Sequence, residues 1–336
     1  MLALYSLKNG HLDFCGEEGS GAKAPLPLDA QLLAEAAWID LHEPTPDEER
    51  FVERELNINI PTREEIFGLE MANRINEENG AIYAPASILV ASSGDAPTLV
   101  TVFFILAGTR LVTVRYNSIR SFEIFCVEAG KPGAPKYSDG VGIYIGLMEL
   151  ITDRLADVLG QEGASLDLMT QHVFQEEVRF RRARVKDFRR VLARLGRRGD
   201  MLSKARESML SLMRVTTYFS TALEGAPHRK EARHRLQSIV SDIRALTDHV
   251  NYLSSRISLL LDATVGLINL EQNGIIKIFS VVSVAFLPPT LIASIYGMNF
   301  HRMPELGWPL GYPLAMALMT LSAVVPYLFF KRKGWL

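Results

Sequence analysis

The residues best placed to do chemistry lie on one face of a long apolar helix near the end of the sequence. An uncharged run of eighteen residues, IFSVVSVAFLPPTLIASI, covers 278–295, and about 20 such residues cross the hydrocarbon core of a bilayer, roughly 30 Å thick. Residues spaced alternately four and three positions apart lie on one face of a helix. Along this run and the segment before it, one such stripe consists mostly of polar or small side chains. The stripe consists of Asp262, Gly266, Asn269, Asn273, Ile276, Ser280, Ser283, Leu287, Thr290 and Ser294. Because a polar group facing lipid costs free energy, the stripe predicts a membrane helix that faces neighbouring protein or a water-filled path.

The spacing alone leaves a second interpretation of this stripe open. Its serine and threonine hydroxyls could bond to carbonyls of their own helix, or mediate helix packing, without lining a path. The nearly opposite face is an apolar seam with the same alternation of four and three. The seam consists of Leu236, Ile239, Ile243, Leu246, Val250, Leu253, Ile257, Leu260, Thr264 and Leu267. We therefore expect one helix that packs on one side and presents polar groups on the other.

The same helical pattern extends far beyond the membrane. It runs from about 231 to 295, and at 1.5 Å per residue such a helix spans on the order of 100 Å. A helix of that length must project into the cytoplasm as a stalk. The pair Pro288-Pro289 near its outer end predicts a local kink rather than the end of the helix.

A second uncharged run, 306–330, is also long enough to span a bilayer. It is followed by Lys331-Arg332-Lys333, and basic residues flanking a span favour the cytoplasmic side. Two spans then place the N-terminus inside as well, in agreement with the absence of a signal-peptide pattern at the N-terminus. The outer loop is short, about 296–308, and Glu305 is its sole acid.

The chain divides by pattern into a folded cytoplasmic part and a membrane part. Residues 1–137 read as an α+β cytoplasmic domain, with strand signals at Leu2, Leu4 and Ser6, at 38–41, 81–91, 99–106 and 110–115, and with helix caps at Thr45 and Thr62. A helical stalk region follows, and breaks in it are predicted at 196–199 and 225–227. The predicted segments are the stalk region 138–277, a first transmembrane helix 278–295, an outer loop 296–308, a second transmembrane helix 309–330 and a basic cytoplasmic tail 331–336.

Composition and motifs argue against several functional classes. The domain before the stalk contains no nucleotide-binding glycine loop, no zinc-ligand spacing and no nucleophile elbow, so we do not expect an enzyme. Two cysteines among 336 residues are too few for a disulfide framework. The densely basic stretch 179–198 is expected to be a solvated helix face rather than a nucleic-acid site, and binding to anionic lipid headgroups stays open.

Several short motifs resemble one family of membrane proteins. They are YGMNF at 296–300, MPEL at 303–306, GYP at 311–313 and KRKGWL at 331–336. EQN at 271–273 and FLPPT at 286–290 strengthen the match. These segments resemble the CorA family of magnesium transporters, and a Gly-Met-Asn signature between two C-terminal spans is highly specific for it.

The resemblance implies a homopentameric channel in membrane lipid whose first membrane helices line one central pore. Elementary geometry agrees, since two spans in one chain cannot enclose a path for a hydrated ion. The implied outer ring is Asn299, held by the turn at Gly297 and Met298. Thr290 and Asn273 would form further polar rings, and Leu287, Ile276 and Phe279 the hydrophobic constrictions. Mg²⁺ loses its waters reluctantly, so neutral amide and hydroxyl rings could pass it hydrated.

The resemblance also implies regulation by cytoplasmic Mg²⁺, through Asp262. The partner of this carboxylate would be an acid of the neighbouring subunit, with Asp95 as a candidate. The alternative is that Asp262 pairs with Arg256 or is merely solvated on the stalk.

Two other functions remain as alternatives. The first is a zinc transporter of the same superfamily, because His301 and Arg302 stand where the family usually has an acid. The second is a membrane-anchored cytoplasmic sensor or scaffold, which would not need the polar stripe. Uptake of Co²⁺ or Ni²⁺ beside Mg²⁺ is compatible with the resemblance.

Overall fold

A computed structural model describes residues 1–15, 29–67, 74–90, 97–175, 185–223, 230–298 and 307–334 of the chain. The chain divides into two compact units. The first comprises 1–178 with 193–259, and the second comprises 179–192 with 260–336. Each unit is described by itself below.

The first unit contains a seven-stranded mixed sheet in the order β2-β1-β3-β7-β6-β5-β4. The strands are β1 Leu2–Lys8, β2 His11–Phe14, β3 Trp38–His42, β4 Asn76–Glu78, β5 Ala81–Val90, β6 Thr98–Ala107 and β7 Arg110–Arg115. Only β3 and β7 pair in parallel, and the other neighbours are antiparallel. The predicted α+β class is confirmed, and β6 and β7 pair as a hairpin.

Two short strands, β2 and β4, were not predicted from the sequence. β2 (HLDF) has only four residues and β4 (NEE) has three polar ones, so neither is long enough to show a usable alternation. The feature of the sequence that could have revealed both strands is the turn beside each. Asn9-Gly10 and Asn79-Gly80 have positive φ at both positions (54° and 83°, 52° and 77°), and Asn-Gly is a strong predictor of a two-residue hairpin turn.

The centre of the sheet contains a buried polar network around Asp40. The indole Nε1 of Trp38 donates to Thr113 Oγ1 (3.0 Å), which donates to Asp40 Oδ1 (2.7 Å). Arg115 completes the network with an ion pair to Asp40 (2.8 Å), and its guanidinium lies over the ring of Phe122. Because every carboxylate oxygen has a partner, the network fixes the register of the parallel pair at low cost.

Four shorter helices flank the sheet: α1 Ala30–Glu35, α2 Pro46–Leu56, α3 Arg63–Phe67 and α4 Arg120–Ala129. The predicted cap of α2 is confirmed as a capping box, in which Thr45 and Glu48 exchange hydrogen bonds with each other's backbone. Glu48 also accepts from the Leu2 N–H (2.8 Å). Burial opposes its ionisation, yet these hydrogen bonds hold the pKa of Glu48 below its usual value. The cap at Thr62 is likewise present, bonded to Glu65.

Four long helices follow: α5 Gly140–Gln175, α6 Val185–Ala222, α7 Lys230–Tyr296 and α8 Gly311–Arg332. The break predicted at 196–199 is wrong, because α6 passes through both glycines. Each glycine costs only about 1 kcal/mol in a helix, and the neighbouring Leu195 and Leu202 are buried, so packing outweighs that cost. The break predicted at 225–227 lies outside the described residues.

Within the first unit, α6 packs against the second half of β5, and α7 packs along α5. The hydroxyls of Ser211 and Ser208 accept from the backbone N–H groups of Ser87 and Leu89 (2.9 and 3.0 Å). Two arginines on α7 pair with acids on α5: Arg235 with Glu149 (2.7 Å) and Arg256 with Asp167 (2.6 Å). These contacts fix the rotation of α7 about its own axis.

The second unit contains the end of α7 and the whole of α8. Both helices include a window that is long and apolar enough to cross a membrane, with mean hydropathy 2.0 and 1.8. Pro288 and Pro289 lie inside α7, which continues to Tyr296. The expectation that the prolines do not end the helix is confirmed.

Candidate functional site

The polar stripe of α7 is fully open in the single chain. All ten of its residues, from Asp262 to Ser294, are exposed, including Ile276 (61%) and Leu287 (68%). Phe279 is 66% exposed and lies at the flank of the stripe. The described part of this chain therefore provides no cover for the face on which the predicted pore residues lie.

The seam on the other face of α7 is covered, as expected. Leu236, Ile243 and Thr264 are completely buried, and only Leu246 and Leu267 of the ten seam positions are half-buried. The seam thus anchors the stalk part of the helix and determines which face remains open.

In the membrane part of α7, the less exposed residues lie on the face opposite the stripe. Its less exposed positions are Val281 (4% exposed) and the half-buried Ala285, Pro288, Pro289 and Ile292. At 100° per residue these positions centre about 180° away from the stripe. The buried residues of α8, Gly311 and Ala315, lie one turn apart on one face. The stripe is therefore the more exposed face of the membrane part of α7 as well.

Two hydroxyls of the stripe bond to their own helix. Ser280 Oγ donates to the Ile276 carbonyl (2.8 Å) and Thr290 Oγ1 donates to the Phe286 carbonyl (2.7 Å). The alternative interpretation is correct about these bonds, but it does not remove the chemistry. Each bond uses the hydroxyl hydrogen and leaves the oxygen lone pairs directed away from the helix as acceptors. Waters bound to a cation direct their hydrogens outward, so such oxygens suit a hydrated cation.

The outer end of α7 leads directly into the signature motif. The N–H of Gly297 donates to the Ala293 carbonyl (2.9 Å) and that of Met298 to Ile295 (3.3 Å), which closes the last turn. A Cβ at Gly297 would come within 3.1 Å of the Ala293 carbonyl oxygen, so a side chain there would crowd this turn. Asn299, Glu305 and Asp95 lie outside the described residues.

The structure decides one alternative for Asp262. Arg256 does not pair with it, because the Arg256 guanidinium donates to Asp167 Oδ1 (2.6 Å) and Thr170 Oγ1 (3.1 Å). The hydrogen bond that Arg256 donates to Asp167 is the main cause that raises the pKa of Arg256. Asp262 is exposed and has no partner within the described ranges. Those ranges also contain no group of three or more side chains arranged to hold a metal ion.

Comparison with known proteins identifies the family. The family model described as "CorA-like Mg2+ transporter protein" matches residues 34–332. The chain belongs to this CorA-like family. The Salmonella typhimurium protein named magnesium transport protein CorA is 33% identical over 310 residues, which are 92% of this chain and 94% of that protein.

Two further comparisons extend over the whole chain, the first in sequence and the second in fold. The protein of that name from Escherichia coli K12 is 32% identical over 338 residues, covering 100% of both chains. The structure of the CorA magnesium transporter from Methanocaldococcus jannaschii superposes with a TM-score of 0.76 at 18% identity, covering 100% of this chain and 99% of that one. Family membership and the two membrane-length helices make this chain a multi-pass protein of the bacterial inner membrane.

Proposed function

We propose that this chain forms a homopentameric channel that moves Mg²⁺ across the inner membrane, with α7 lining the pore. The observation that carries the proposal is the exposed polar stripe of α7, directed away from the covered face of the same helix. The relatives at 32–33% identity are named for magnesium transport. A pore needs several copies, because the stripe of one chain faces open space, and the number five comes from the family resemblance.

The proposed selectivity rests on neutral acceptor rings. Asn299 forms the outer amide ring, presented by the turn at Gly297 and Met298, while Thr290 and Asn273 form rings further in. Neutral oxygens bond the hydration shell of Mg²⁺ without competing strongly for the ion itself. Carboxylate rings would hold the ion more tightly and slow its exit.

The proposed gate is formed by the large apolar residues of the stripe. Leu287, Ile276 and Phe279 are each more than 60% exposed in the single chain, so they would face the pore axis in an assembly. A narrow ring of apolar side chains excludes water and stops a hydrated ion.

The proposed regulation uses Asp262 as one ligand of a Mg²⁺ bound between subunits. Its support is that an exposed carboxylate on the stalk has no ion-pair partner in the described parts of its own chain. The partner acid would come from a neighbouring subunit, and Asp95 remains the candidate. Binding of cytoplasmic Mg²⁺ would then hold the stalks together and close the pore.

The proposed orientation places both termini in the cytoplasm. The basic residues Lys331, Arg332 and Lys333 follow the second span, and such residues are retained on the cytoplasmic side. The short loop containing Asn299 and Glu305 then faces outward, where the ion enters.

Uptake by purified protein in liposomes tests the proposal. Wild-type protein should admit Mg²⁺, and Asn299→Ala should abolish most of this flux while the oligomer stays intact. A matched pair sharpens the assay: Thr290→Ala on the stripe against Thr320→Ala on α8. Both hydroxyls are exposed and bond to the carbonyl four residues before them (2.7 and 2.8 Å). Only Thr290→Ala should reduce uptake, and equal uptake by the two variants would contradict the assignment of the stripe.

The same assay decides between the candidate ions. Uptake of Mg²⁺, Co²⁺, Ni²⁺ and Zn²⁺ is compared at equal concentrations. Preference for Zn²⁺ would favour a zinc transporter, and no uptake of any ion by an intact oligomer would favour a sensor or scaffold.

A further inference from the structure

A cavity of about 570 Å³ lies in the first unit, between the end of β5, the start of α4 and the middle of α5. Volumes of this size are typical of sites for small organic ligands. One wall is apolar, formed by side chains such as Ile88, Ile151 and Leu155. The opposite wall is polar and is built around the first turn of α4.

The first turn of α4 has no side-chain cap. Its N-cap residue is Ile119, which cannot accept a hydrogen bond through its side chain. The preceding serine does not replace it, because Ser118 Oγ donates to Glu123 Oε1 (2.5 Å). In the described parts of the chain the backbone N–H groups of Arg120 and Ser121 have no acceptor. The helix start therefore presents free N–H donors and the positive end of its dipole.

Ser121 provides a second, independent observation that points to a ligand site. This residue lines the cavity and is only 6% exposed, yet its hydroxyl has no hydrogen-bond partner within the described ranges. Among the described residues, Ser121 Oγ is not one of the fully enclosed side-chain atoms that lack a partner, so the oxygen is accessible from the cavity. The hydroxyl is placed to donate to a group inside the cavity.

The charges of the cavity favour an anion. Arg120 and the half-buried Arg154 both line it, and neither has an ion pair in the described residues. Glu123 also lines it, but its carboxylate accepts from Ser118 and lies in the first turn of the helix, where an acid is already favoured. Two arginines and a helix N-terminus against one carboxylate leave an excess of positive charge.

From these observations we propose that the cavity binds a small organic phosphate. The phosphate group is held by the free N–H groups of α4, the Ser121 hydroxyl and the two arginines, a combination suited to phosphate. The organic part packs against Ile88, Ile151 and Leu155. The proposed site is separate from the stripe of α7 and goes beyond ion transport, since no pore residue contributes to it.

Binding to the full-length protein in detergent tests the proposal, measured by calorimetry in buffer without Mg²⁺. The probes are inorganic phosphate, adenosine monophosphate and adenosine. Adenosine monophosphate should bind more tightly than phosphate because it also fills the apolar wall, and adenosine should bind weakest. Ser121→Ala and Arg154→Gln should each weaken binding of the monophosphate by at least about tenfold, the loss expected for one charge-assisted hydrogen bond.

Matched substitutions elsewhere control for nonspecific effects. Ser203→Ala and Arg189→Gln change exposed residues of α6 that do not line this cavity, and neither should alter the affinity. Circular dichroism and gel filtration verify that each variant is folded and assembled. The proposal is overturned if the folded wild type binds neither phosphate nor the monophosphate at about 10 mM, or if the Ser121 and Arg154 variants both bind like wild type. Such a result would leave the transport assay unaffected.

Discussion

Replacing Asp262 by Ala separates a regulatory carboxylate from a structural one. In the absence of Mg²⁺ the substitution should cost almost nothing, because Asp262 is exposed and makes no ion pair within the described part of its own chain. Surface substitutions change stability by about 0.5 kcal/mol or less, and alanine is the better helix former. A partner hidden in the fold would instead give a loss of stability without any metal.

The expected difference emerges when Mg²⁺ is added. A ligand that binds only the native assembly stabilises it by about 2.7 kcal/mol at a concentration one hundred times its dissociation constant. Wild-type protein should therefore gain stability with rising Mg²⁺, whereas Asp262→Ala should lose most of that gain. In liposomes the same variant should keep conducting at internal Mg²⁺ concentrations that close the wild type.

Asp167→Ala is the matched control for this experiment. It removes a carboxylate that is 61% exposed and paired with Arg256, so its cost should be about 0–1 kcal/mol. It should leave the Mg²⁺ dependence unchanged. Thermal unfolding and trypsin cleavage of the stalk, measured across a series of Mg²⁺ concentrations, report both properties. The reasoning fails if Asp262→Ala responds to Mg²⁺ like wild type, or if Asp167→Ala loses the response.

Two substitutions and one labelling experiment test the gate, the core and the Cys126 thiol. Leu287→Ser should raise the leak of Mg²⁺ from liposomes under conditions that close the wild type, because a hydroxyl ring holds water where an apolar ring excludes it; a loss of stability with unchanged leak would mean that Leu287 only packs. Asp40→Asn should destabilise the first unit by roughly 3–5 kcal/mol in urea unfolding, because the charge of Arg115 stays buried without its partner; a loss below about 1 kcal/mol would show that Arg115 reaches water. The half-buried Cys126 thiol donates to the Tyr5 hydroxyl, and desolvation raises its pKa to about 12, so in a Cys15→Ser background iodoacetamide should label it at pH 8 much more slowly in the folded than in the unfolded protein. The thiol pKa is higher in the folded than in the unfolded protein, so the contribution of Cys126 to the free energy of unfolding should fall as pH rises from about 9 towards 12. Rapid labelling of Cys126 in the folded protein would contradict its shielding from solvent.

The sequence predicted best those features that repeat. The rotation of α7 was predictable because a seam and a stripe recur over more than thirty residues each, and every repeat supports the same orientation. The cap at Thr45 was predictable because its hydrogen bonds are local, closing within three residues. A pattern that repeats over a long stretch, or that closes within a few residues, can be recognised without knowing which elements pack against it.

Features that depend on tertiary contacts were less predictable. The glycines at Gly196 and Gly199 suggested a break, but the burial of Leu195 and Leu202 against the rest of the fold keeps α6 continuous. The pairing of Arg256 with Asp167 joins residues 89 positions apart, so no local rule could prefer it to a pair with Asp262. The cavity beside Ser121 was missed for the same reason, since its lining comes from three separate elements.

The change in surroundings along α7 explains why pore formation and assembly should depend on the same segment. The apolar seam is buried up to Thr264. Beyond it, large apolar side chains such as Leu270 (67%) and Ile275 (43%) are exposed before the uncharged run begins at Ile278. Lipid cannot cover side chains that precede the membrane, and water does so only at a cost in free energy. Neighbouring copies of α7 would cover these flanks and leave Asn269 and Asn273 facing a common axis. The apolar residues of this segment would thus drive assembly, while the polar ones line the path that assembly creates.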